Sequence, residues 1–63
     1  MHYGPQLDKA VRQCATHCLE AVDPRACVQR FAISLVESDG WSQRDADDLA
    51  ELSLEIIGRI KNG

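Results

Sequence analysis

Two breaks set what this chain can fold into. Asp23-Pro24 separates two stretches of helical periodicity, and Asp39-Gly40 separates the second from a third. Proline lacks an N–H and holds the residue before it in extended backbone, so a helix cannot run through Asp23-Pro24 undisturbed. Asp23 is thereby available to cap the next helix, with Pro24 at its first position. Asp39-Gly40 is a turn signal. Beyond it, Ser42 with Asp45 makes a loose capping box, and Trp41 precedes the cap where it can pack on Ala46 as a hydrophobic staple. None of the period-two alternation of strands is present. The expected fold is all-α: an antiparallel helical hairpin (about 5–22 and 24–37) plus a longer third helix (about 42–61), one small helical domain over 1–63.

Each segment has an apolar face. Pro5 suits the opening turn of the first helix, where Leu7, Val11, Cys14, Ala15, Cys18 and Val22 share one side and Lys9, Gln13, Thr16 and Glu20 the other. In the second, Cys27, Val28, Phe31, Ala32 and Leu35 oppose Arg30, Ser34 and Glu37. The connection at Asp23 is short, so these two helices should run antiparallel. The third helix carries Asp45, Asp47 and Asp48 near its start and Arg59 and Lys61 near its end, the arrangement the helix dipole favours. Its apolar face centres on Leu49, Ser53, Ile56 and Ile60, and Ala46, Ala50, Leu52, Leu54 and Ile57 widen it to roughly 200° of arc, against about 100° for a one-sided helix.

That width sets the expectation about partners. A chain of 63 residues buries only about 60% of its unfolded surface. A two-helix hairpin covers part of the third helix, and the remainder calls for another chain, most simply a second copy related by a two-fold axis. Leu52, Leu54 and Ile57, rimmed by Asp48, Glu51 and Glu55, are the expected contacts, and Ile33 and Ala26 add apolar surface on the back of the second helix.

Charge narrows the partner class. Ten acidic against seven basic residues give a net charge of −3. Nucleic-acid binders carry a basic patch or stripe, which this balance lacks, whereas an acidic surface complements a basic protein. The N-terminus has no basic segment followed by an apolar run, and no stretch approaches the length of a membrane span, so a cytoplasmic chain without a membrane partner is expected. His2 falls in a terminus expected to fray.

Three cysteines carry the remaining chemistry. Cys14 and Cys18 are one helical turn apart, with His17 beside them, and a hairpin turning at Asp23 sets Cys18 opposite Cys27 and Cys14 opposite Phe31. Three readings compete. Cys14, His17, Cys18 and Cys27 could supply three thiolates and an imidazole to zinc, although the short C-x2-C spacing of zinc knuckles is missing. Cys18 and Cys27 could form a disulfide across the hairpin. All three could be reduced core fillers, since buried cysteine behaves as a small hydrophobe, and their apolar faces favour this third reading. A Cys14–His17 nucleophile pair on one helix would lack a pocket and oxyanion donors, so no enzymatic activity and no cofactor are expected.

Residues 40–63 resemble the helix-turn-helix stretch of phage-repressor-type regulators over roughly a third of the chain, at Gly40, Ser42, Gln43, Ser53, Ile57, Arg59, Ile60, Asn62 and Gly63. The resemblance implies DNA binding by a two-helix unit. Asp47 stands where that family has a small residue and Glu51 where it has the turn glycine, so this stretch reads as one continuous helix. The function expected from the residues is a small non-enzymatic helical regulator or adaptor acting by protein–protein interaction as a homodimer. The alternatives are a thiol or metal sensor built on the cysteine cluster and a degenerate helix-turn-helix regulator.

Overall fold

The computed structural model describes residues 5–63, with the side chain of Pro5 not described; His2 lies outside that range. Three helices follow in order: α1 (Pro5–Cys18), α2 (Pro24–Ser38) and α3 (Gln43–Asn62). There is no strand among the described residues, so the all-α expectation holds.

Both breaks work by the expected chemistry. Asp23 accepts a hydrogen bond from the Ala26 N–H at 3.2 Å, and Pro24 opens α2. The Ser42 hydroxyl accepts from the Asp45 N–H at 3.1 Å to start α3. Between them, the Leu35 carbonyl accepts from both the Asp39 and Trp41 N–H groups, at 3.0 and 3.1 Å, closing the end of α2. That reversal places Gly40 at φ +74°, a backbone region costly for any residue with a Cβ. Trp41 is half-buried against the core, in a groove shared with Ala10 and Gln13 of α1 and Phe31 and Leu35 of α2.

Helix α1 ends at Cys18, four residues earlier than the periodicity suggests. The reason is geometric. Packed helices lie 8–10 Å apart, and a hairpin between them takes a 2–5-residue loop. A helix running to Val22 would leave Asp23 alone to make the crossing. The chain instead turns through a bond from the Ala21 N–H to the Cys18 carbonyl at 3.1 Å. Val22, expected on the core face, is fully exposed in that loop.

Helix α3 lies across the hairpin and packs on both other helices, more extensively with each than they pack on one another. Its buried line is Ala46, Leu49, Ser53 and Ile57. These meet Leu7, Ala10, Val11, Cys14, Ala15 and Cys18 of α1 and Val28 and Ala32 of α2. The expected centre holds at Leu49 and Ser53, but the buried line turns from Ile56 towards Ala46 and Ile57, because α3 must face two helices at once. Ile57 turns inward, while Ile56 is half-buried and Ile60 exposed.

Helix length explains the last point. At 1.5 Å per residue, the 20-residue α3 spans about 30 Å, whereas α1 and α2, with 14 and 15 residues, span only about 21–23 Å. Part of α3 must outrun its supports. The long dimension of the molecule, 31 Å, matches the length of that helix.

The local signals carry definite stabilities. Gly40→Ala meets no steric neighbour, so its cost is the backbone conformation alone, about 1 kcal/mol. Ser42→Ala removes one cap and should also cost about 1 kcal/mol. Urea unfolding followed by circular dichroism should show both losses with an unchanged denaturant slope.

Candidate functional site

Two regions carry chemistry or unspent surface: the closed end of the hairpin and one flank of α3. At the hairpin end, Cys18 is the last residue of α1 and Cys27 lies in the first turn and a half of α2, its N–H bonded to the Asp23 carbonyl at 3.0 Å. Their Cα atoms are 5.7 Å apart and the two sulfurs form a disulfide. The register expected from loop length is thus observed for this pair, and the reading of all three cysteines as reduced core fillers is corrected for two of them. The bond closes a nine-residue separation, a loop for which chain entropy gives about 2–3 kcal/mol of stabilisation.

The two halves of the bond differ in access. Cys18 is fully buried, whereas Cys27 is half-buried and lines an open groove of about 360 Å³ with His17, Arg30 and Phe31. His17 is exposed, and its ring centroid lies 6.3 Å from that of Phe31, a tilted contact. Phe31 therefore faces His17, one turn further along α1 than the Cys14 position expected. On the other side of His17, a second depression of about 430 Å³ is lined by Arg12, Gln13 and Thr16. No Asp or Glu lines either depression.

Cys14 has the environment of a core residue. It is fully buried and free. Burial pushes its thiol above the ordinary value near 9.0, and a hydrogen bond with Ser53 offsets part of that. Ser53, also fully buried, donates from its hydroxyl to the Val11 carbonyl at 3.5 Å, tying α3 to α1. A serine in the middle of an apolar helical face requires such a partner, a signal available in the sequence although its partner was not. With Cys18 and Cys27 bonded to each other, the alternative four-donor set of Cys14, His17, Cys18 and Cys27 is not assembled. Among the described residues no three His, Cys, Asp or Glu side chains converge on a metal-sized site.

The structure redraws the expected interface set on α3. Leu52 is 41% exposed and Ile60 57%. Ile57 is only 4% exposed and belongs to the core, so it is unavailable to a partner, which corrects its place in that set. Leu54 is half-buried and sits about 200° round the helix from Leu52. Leu52, Ile56 and Ile60 instead follow one another at four-residue intervals, a single ridge of the kind helices interdigitate. Glu51 and Glu55 are exposed beside it; Asp48, half-buried, begins the same ridge one turn earlier. Ile33, 54% exposed, lies on α2 rather than on this ridge. The ridge is hidden in the sequence because the helical wheel sets Ile56 and Ile60 beside Leu49 and Ser53 on the inward face.

The segment resembling a helix-turn-helix forms one uninterrupted helix, so a two-helix unit is not made there. Glu51, in place of the turn glycine, has no reason to break it. Among the described residues no helix is long and apolar enough to cross a membrane. No family model matches the chain, and neither a curated protein nor a solved structure shows significant similarity to it.

The buried thiol has a pH signature. A raised pKa in the folded state means that the folded protein holds the Cys14 proton more tightly than the unfolded chain. The resulting stabilisation is complete below the unfolded value near 9.0 and is lost as pH rises through the higher folded value. Urea midpoints measured from pH 7 to 11 should therefore fall above about pH 9, and fall less in Cys14→Ala. Parallel curves for the two proteins would contradict this.

Proposed function

We propose that this protein is a small non-enzymatic helical interaction module that acts as a homodimer and presents itself to a further protein as a regulator or adaptor. The observation that carries the reading is the Leu52–Ile56–Ile60 ridge, on which Leu52 and Ile60 stay exposed and Ile56 half-buried after both other helices have packed on α3. A ridge at four-residue intervals is self-complementary across a two-fold axis. The small size of the protomer core supplies the thermodynamic motive for a second copy. Glu51 and Glu55, the latter in an exposed pair with Arg59 at 3.3 Å, border the ridge with Asp48 one turn away, and the acidic excess suits a partner with a basic surface.

Sedimentation at micromolar concentration tests this directly, with a dimer as the expected result. Fully burying a leucine is worth about 1.5–3 kcal/mol, and a two-fold interface repeats each contact, so Leu52→Glu should weaken association by about a hundredfold. Helicity should be unchanged, because Leu52 is exposed within the protomer. A clean monomer would overturn the reading.

A second reading, a thiol-based sensor, is favoured by one specific observation: the Cys18–Cys27 disulfide with its groove-lining Cys27. Thiol titration of the denatured oxidised protein should find one free thiol, Cys14. After mild reduction of the folded protein it should find three. Three free thiols under both conditions would sink this reading.

A further inference from the structure

The disulfide is asymmetric, and its surroundings have a chemical character of their own. Of the two sulfurs, one belongs to a fully buried residue at the end of α1, and the other to a half-buried residue lining an open groove. Attack on a disulfide depends on which sulfur an incoming thiolate can reach. In a chain of net charge −3, the two depressions that meet at His17 carry Arg30 and Arg12 and no carboxylate in their linings. Arg12 pairs with Asp8 at 3.4 Å. Arg30, beside Cys27 in the groove lining, forms no ion pair among the described residues.

We propose that the groove lined by His17, Cys27, Arg30 and Phe31 is a site of thiol–disulfide exchange for small anionic thiols, which attack at Cys27. This deepens the thiol-based reading and does not depend on the α3 ridge. In the exchange, the small thiolate attacks the Cys27 Sγ as the Sγ–Sγ bond breaks. A mixed disulfide forms on Cys27, and the electron pair departs on the Cys18 Sγ, which takes a proton from water. The small thiol is oxidised to the disulfide level and Cys18 is reduced, so no other oxidant or reductant is required. Arg30 draws the anionic end of the thiol into the groove, and Phe31 forms its apolar wall. Release of Cys18 uncouples the end of α1 from the start of α2, which lets small-thiol chemistry reach the packing of the hairpin.

The test uses the folded, oxidised chain and three probes at matched thiolate concentration: thioglycolate (anionic), mercaptoethanol (neutral) and cysteamine (cationic). Reactions are quenched with an alkylating reagent and the cysteines mapped by peptide mass spectrometry. The expected product carries the small thiol on Cys27 and the alkyl label on Cys18. Thioglycolate should react roughly three- to fivefold faster than cysteamine, the scale of one exposed charge interaction. Arg30→Gln should bring the thioglycolate and cysteamine rates closer together, with the small thiol still found on Cys27. Small thiol found on Cys18, or equally on both residues, would overturn the proposal while leaving the thiol-based reading intact, as would the absence of a charge preference. If none of the probes, nor dithiothreitol, opens the bond in the folded protein, the proposal and that reading fall together.

Discussion

The seating of α3 across the hairpin is the constraint on which the rest depends. Helices α1 and α2 pack on one another less than either packs on α3. Leu49 of α3 and Val28 of α2 are fully buried, and the buried line of α3 runs from Ala46 to Ile57. One helix must thus serve two neighbours, which turns its inward face towards the groove between them. The same requirement leaves a flank over. The seating of α3 decides its buried line, its extra length leaves Ile60 beyond the other helices, and the proposed dimer is the natural cover for the flank that remains.

Two devices tie the elements together where apolar contact alone would be thin. The hairpin end is closed covalently by Cys18 and Cys27. Against the middle of α1, Ser53 brings a hydroxyl into the core and donates it to the Val11 carbonyl, with the Cys14 thiol as its neighbour. No buried side-chain polar atom among the described residues is left without a partner. The three cysteines thus divide their roles by position: one fills the core, one anchors the end of α1 inside it, and one meets the surface between an imidazole and a guanidinium. Access, rather than residue type, makes Cys27 the reactive candidate.

How much of this was legible follows from how local each signal is. Asp23, Pro24, Ser42 and Gly40 act within four residues of themselves, and they start and stop helices where their chemistry says they should. The Cys18–Cys27 pairing depends only on a short loop, whose length sets the two residues opposite one another. Whether they bonded or merely packed was open, because both outcomes use the same faces. The end of α1 was misplaced because periodicity continues through Val22, while the space needed to reverse the chain does not appear in a helical wheel. Ile57 turns inward because two neighbours, rather than one, decide which side of α3 is inside, and Ile60 is exposed because α3 is longer than the helices it packs on.

By itself, then, the sequence determined three helices, their caps, their order and the antiparallel hairpin, since these follow from backbone restrictions and nearest-turn hydrogen bonds. Tertiary structure decided the rotation of α3, the depth of Cys18 against Cys27, the partner of Ser53 and the gathering of Arg30, His17 and Phe31 around one sulfur. Those depend on how three cylinders of unequal length share one core. Each wheel limits the faces a helix can bury, but only the packed arrangement selects among them.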